Sequence, residues 1–143
     1  MQKNRTFTEN NDLVVLSETS ILFLVPLIQT AWAHGAISPR EKQLIFDSAR
    51  EDGIEERHHL NHILDRWLVY QPSASFFADC LGQIRERLRL MTVKERELTR
   101  TKILDRCRNV AETAGGKSPM DINHHISREE KELLEELQEM LKS

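Results

Sequence analysis

Ile21-Leu22-Phe23-Leu24-Val25-Pro26-Leu27-Ile28, continued through Gln29-Thr30 to Ala31-Trp32-Ala33, is the stretch on which the fold turns. It is apolar on nearly every side, which suits a helix enclosed by other helices better than one lying on a surface. An apolar run this short also fits a buried strand, but no second such run occurs in the chain, so a helix is the better reading. Pro26 falls inside it and lacks the N–H that would bond to the Leu22 carbonyl, which predicts a kink. Gly35 ends the helix and permits a positive φ at its C-terminus. The run is far shorter than the roughly 20 apolar residues a membrane span requires.

Outward from this segment the chain alternates amphipathic helical pattern with short breaks. A second helix is expected from Pro39 to about Arg50, stopping near Gly53. A third, from about Glu55 to Val69, puts Leu60, Ile63, Leu64, Trp67 and Leu68 on one stripe, and Gln71-Pro72 breaks it. Ser73 or Ser75 then caps a helix reaching about Leu90. A fifth helix begins after Thr92, turns Ile103, Cys107, Val110 and Ala111 inward, and ends at Gly115-Gly116. A loop over Gly115 to Ile126 leads to a last helix from Arg128 to about Leu141. With only five Gly and four Pro, the chain lacks the turn residues of a β architecture. The fold class read here is all-α: a compact bundle of about six helices around a central apolar one. Residues 1–12, polar and rich in Asn and Thr, read as a disordered N-terminal segment, and 13–143 as a single helical domain.

One pattern recurs three times: Ile37-Ser38-Pro39-Arg40-Glu41-Lys42-Gln43-Leu44, Met91-Thr92-Val93-Lys94-Glu95-Arg96-Glu97-Leu98, and Ile126-Ser127-Arg128-Glu129-Glu130-Lys131-Glu132-Leu133. Ser or Thr at the N-cap with Glu three residues on is a capping box, in which the hydroxyl accepts from the N3 amide and the carboxylate reaches back to the N-cap amide. Three independent helix starts account for most of the likeness. The longer match between the first and third copies points to a pseudo-repeat as well.

Charge is distributed unevenly behind a net −3. Ile84–Arg108 carries nine basic and four acidic residues, a local +5, and Arg128–Lys142 three basic and six acidic, a local −3. Such asymmetry marks either a nucleic-acid face or two helical surfaces that attract each other, and the second is the plainer reading. Cys80 and Cys107 are too few for a disulfide framework and lie in helical pattern, so they read as buried free thiols. Met1–Asn11 lacks the charged-then-apolar order of a signal peptide, and a cytoplasmic location is expected.

At Val25-Pro26-Leu27-Ile28-Gln29-Thr30-Ala31-Trp32-Ala33-His34-Gly35-Ala36-Ile37-Ser38 the chain resembles the tellurite-resistance protein B (TerB-like) family, whose members read "VPLVxVAWADGxV" before a capped helix carrying the Glu found here as Glu41. The likeness continues through Gly53-Ile54, Leu64-Asp65-Arg66-Trp67-Leu68, Pro72 and Arg108-Asn109-Val110-Ala111-Glu112-Thr113-Ala114-Gly115-Gly116 to the helix capped by Ser127. The resemblance implies a compact all-α domain, an association with bacterial stress and metal resistance, metal binding at acidic loop positions, and no enzymatic activity. The chain departs from the pattern at its centre, with His34 where the family has Asp and Ala36 where an acid often follows the Gly. A hard cation wants six to eight oxygen ligands, and this loop supplies Glu41, which the capping box already claims.

Three constellations are candidate sites. His58, His62 and Asp65 share one helical face at spacings that let two imidazoles and a carboxylate reach one transition-metal ion, opposite the Leu60/Leu64/Trp67 stripe. A solvated polar face is the plainer account of the same residues. The loop from His34 to Glu41 is a candidate for binding a protein partner, with an exposed groove or patch expected beside it. The basic residues of 84–108 form a candidate nucleic-acid contact, weakened by their spread round two helices and by the lack of an aromatic platform. His124-His125 precede the last helix much as His34-Gly35 precede the second. No phosphate-cradling loop, nucleophile elbow or carboxylate pair in an apolar setting is found. The expectation is a non-enzymatic, TerB-like protein-interaction or regulatory module without a cofactor, that binds a protein partner or itself. A transition-metal sensor and a weak nucleic-acid binder are the alternatives.

Overall fold

The computed structural model describes residues 19–33, 35–54, 59–115 and 128–142, and everything described is helix or short connection, with no strand. In chain order the elements are α1 Thr19–Leu22, α2 Val25–Trp32, α3 Pro39–Glu51, α4 His59–Val69, α5 Ala74–Arg89, α6 Val93–Gly115 and α7 Arg128–Lys142. The all-α reading holds. Residues 1–12, Leu13–Leu16 and most of the 115–126 loop fall outside the described residues.

Pro26 does more than kink its helix. α1 stops at Leu22, the Leu24 amide bonds to the Ile21 carbonyl at 3.1 Å instead of continuing the ladder, and α2 restarts with Leu24 as its N-cap. Pro26 thus sits in the first turn of α2, where a missing N–H costs nothing. Its carbonyl accepts a bond from Thr30 Oγ1 at 2.8 Å, which satisfies the polar group of a fully buried threonine. The expected kink is therefore a full break, and one predicted helix is two segments.

α2 is the axis of the bundle. Leu27, Ile28 and Ala31 are at most 1% exposed, as are Ile21 and Leu22 ahead of it. The helix is packed by α3, α5, α6 and α7. The fourth helix closes the core from the remaining side with Leu60, Ile63, Leu64, Trp67 and Leu68, the stripe read from the sequence. Trp32 Nε1 donates to the Trp67 carbonyl at 2.9 Å, pinning the end of α2 to the end of α4. Trp67 and Phe76 stack in a tilted pair with centroids 5.3 Å apart, fixing the corner between α4 and α5.

The helix ends obey local chemistry. Gly53 adopts φ 94°, its amide bonds to Arg50 O at 3.0 Å, and Ile54 N bonds to Ala49 O at 2.9 Å. That is a Schellman motif, with Ile54 buried over Ala49 as its apolar contact. Gly35 takes φ 100° after α2, as expected of a left-handed stop. Ser73 accepts from Phe76 N at 3.1 Å and caps α5.

Candidate functional site

The capping boxes separate into two kinds. At α3, Ser38 N donates to Glu41 Oε1 at 2.7 Å and Glu41 N to Ser38 Oγ at 3.2 Å. At α6, Thr92 N donates to Glu95 Oε1 and Glu95 N to Thr92 Oγ1, both at 3.1 Å. Glu41 is fully buried while Glu95 is exposed. Glu130, the corresponding acid of α7, is also fully buried, whereas its expected cap Ser127 lies outside the described residues. Burial thus sets the first and third copies apart from the second, the pairing that the longer sequence match picks out. Of the candidate partner loop, His34 lies outside the described residues, and Glu41 lies beneath the surface as an anchor of the helix start.

His62 and Asp65 are exposed on the outer face of α4, three residues apart, and His58 lies outside the described residues. Among the described residues no three His, Cys, Asp or Glu side chains gather closely enough to hold a metal ion.

Several cations of 84–108 are tied into the protein itself. Arg96 donates to Leu88 O at 2.9 Å and Met91 O at 3.2 Å, capping α5. Arg100 donates to Leu141 O and Lys142 O, both at 3.1 Å, closing the C-terminus of α7, and also pairs with Glu97. Arg106 holds Asp52 in a two-pronged pair at 2.8 and 3.0 Å and reaches Glu51 at 2.9 Å, while Lys102 approaches Asp52 at 3.1 Å. Burial acts to raise the Asp52 pKa, but hydrogen bonds from Arg106 and then Lys102 outweigh it and hold the carboxyl below its ordinary value. Four of the nine cations, Arg96, Arg100, Lys102 and Arg106, thus serve as struts to α3, α5 and α7.

Cys80 and Cys107 are buried thiols that form no disulfide, as expected. Burial pushes the Cys107 thiol up to about 12, against a smaller opposing pull from its hydrogen bond with Thr30. A thiol held protonated in this way is a poor nucleophile.

The surface feature best suited to binding is a groove of about 310 Å³ where α2 ends and α5 begins, flanked by α7. Trp32, Pro72, Phe77 and Leu133 supply apolar walls, Ala33 and Ala74 give it width, and Gln29 and Gln71 are its polar members. The Trp32 indole is held by its bond to Trp67, so that wall is rigid. Gln29 Oε1 is buried and has no hydrogen-bond partner. That oxygen lies beneath the groove wall rather than in its mouth. The groove opens beside Trp32-Ala33, and none of residues 35–41 of the expected docking loop lines it. Sequence reasoning missed its residues, although Gln29 is the one amide in an otherwise oily helix. It also missed Leu90 and Val93, 87% and 70% exposed at the α5–α6 turn, whose signal was apolar side chains at turn positions.

No protein-family model, curated protein or solved structure matches this chain. No described helix is long and apolar enough to cross a membrane.

Proposed function

We propose that the chain is a non-enzymatic TerB-like module, a protein-interaction or regulatory domain of bacterial stress and metal (tellurite) resistance that docks a protein partner or a second copy of itself. The observation that carries this reading is the groove beside Trp32-Ala33, walled by Trp32, Pro72, Phe77 and Leu133. Apolar walls, one of them fixed by the Trp32–Trp67 bond, are what a side chain or segment from another molecule fills. Of the residues quoted for the family resemblance, Gln29, Trp32, Ala33 and Pro72 line this groove. Cytoplasmic partners are the expected class.

Ala74 is exposed at the groove edge and at the first turn of α5, so Ala74→Arg blocks the groove without touching the core. Affinity capture from the native host with wild type and with A74R is the test. Loss of the captured partner at nearly unchanged melting temperature supports the reading, and equal capture by the variant removes it.

A transition-metal sensor is the second reading, favoured by His62 and Asp65 standing exposed on one face of α4. Equilibrium dialysis against Zn²⁺ or Ni²⁺ decides it, and absence of saturable binding below millimolar metal eliminates it.

A further inference from the structure

The α5–α6 turn is the mirror of the groove in its chemistry. Leu90 and Val93 stand three residues apart, on either side of the turn, both largely exposed, with the exposed cations Arg89 and Lys94 flanking them. Single exposed apolar residues are ordinary, but two on one tight turn form a knob. This knob is stiff. Arg96 ties both sides of the turn through Leu88 O and Met91 O, and the Thr92/Glu95 box fixes the start of α6. A preformed tip loses little freedom on binding.

The helix that supplies Leu133 to the groove carries the opposite charge beside that residue. Glu129 and Glu136 lie one turn either side of Leu133 on α7, and both are exposed, as is Glu132. Knob and groove sit at opposite ends of α5, which runs from Ala74 to Arg89, a span of about 22 Å. One molecule's knob therefore cannot reach its own groove.

We infer that the groove takes the Leu90/Val93 knob of a second copy of this chain, joining copies head to tail. Leu90 and Val93 enter between Trp32, Phe77 and Leu133. Arg89 and Lys94 meet Glu129 and Glu136. The Arg89–Glu86 pair at 3.1 Å is exposed on both sides and gives way at little cost. Because each copy offers both a knob and a groove, the contact is heterologous and builds rings or open chains rather than a closed two-fold pair. Two apolar side chains with two flanking charge pairs make a small contact, so association is expected to be weak and concentration-dependent, with a Kd between about 1 μM and 1 mM.

The inference rests on reading the groove as a docking surface, and its test keeps the two separable. Sedimentation velocity on wild type is expected to show mass rising with concentration across that range, and falling back when salt is raised to about 1 M. Leu90→Glu with Val93→Glu removes the knob, and Ala74→Arg blocks the groove; each variant alone is expected to stay monomeric with unchanged circular dichroism. Mixed one to one, the two variants retain a single complementary pair and are expected to form a dimer that goes no further. Should A74R fold poorly, Glu129→Lys with Glu136→Lys replaces it as the groove variant. A wild type monomeric to 1 mM, a variant that associates like wild type, or a mixture that stays monomeric overturns the inference. A monomeric wild type whose Leu90/Val93 variant loses retention on anionic lipid vesicles overturns it too, in favour of a membrane contact. If wild type is monomeric and A74R still abolishes partner capture, self-association falls while the docking role of the groove stands.

Discussion

Cys107 shows how a single position is decided by its surroundings. It is fully buried against α2, hydrogen-bonded with Thr30, and its thiol is pushed up to about 12. Ellman's reagent at pH 8 is therefore expected to find no fast-reacting thiol in the native protein and both Cys80 and Cys107 after denaturation; rapid native labelling of either would contradict their burial. Asp52 is the complementary case, a carboxylate kept charged by partners. Its side chain is 11% exposed and that of Arg106 13%, between a surface pair worth about 0–1 kcal/mol and a buried one whose rupture costs about 3–5. Asp52→Asn is accordingly expected to lower unfolding free energy by about 1–3 kcal/mol at pH 7. The sign with pH follows from the folded pKa lying below the unfolded one: the contribution is complete above about pH 4 and lost as pH falls through the folded value. Urea melts of wild type and variant should converge on acidification, and a constant gap down to pH 2 would show that the carboxylate charge is not what stabilises.

Among the elements, the helix starts carry the most information. The three helix starts share a Ser/Thr-x-x-Glu pattern, yet Glu41 and Glu130 are fully buried and Glu95 is exposed. A capping bond alone is worth about 1 kcal/mol, whereas a buried side chain adds the cavity it leaves behind. Glu41→Ala is expected to cost about 2–4 kcal/mol and Glu95→Ala about 1; equal losses in denaturant unfolding would mean that burial of Glu41 contributes nothing. The helices themselves were legible because their apolar stripes, serine caps and glycine stops are all local signals, and Leu60 to Leu68 and Ser73 behave as read. The break at Phe23-Leu24 was not, because proline predicts a lost bond but not whether neighbours let the helix continue bent or restart. The basic stretch left its two readings open for a related reason. Arg96, Arg100 and Arg106 look like a free cationic face until the carbonyls and carboxylates they cap are brought to them by α5, α7 and α3.

At the scale of the molecule, legibility falls off with distance along the chain. The groove needs Gln29 and Trp32 from α2, Phe77 from α5 and Leu133 from α7, and no window of sequence holds more than one of these walls. The core, by contrast, was visible in one run because α2 is buried all round by helices drawn from the rest of the chain. That arrangement has a dynamic consequence. α2 is touched by α3, α5, α6 and α7, so no single neighbour can peel away and expose its amides; they open only when the bundle does. α4 packs from one side through a single stripe and presents His62, Asp65 and Arg66 to water. Native-state hydrogen exchange is thus expected to give α2 amides a free energy of opening equal to that of global unfolding, with α4 opening at lower free energy through a local route. The two classes should respond differently to destabilisation: Leu27→Ala, costing about 2–5 kcal/mol in the core, lowers protection of α2 by the whole amount and leaves the local opening of α4 nearly unchanged. If α4 amides proved as protected as those of α2, or α2 exchanged without regard to global stability, the enclosed-axis description of this bundle would be wrong.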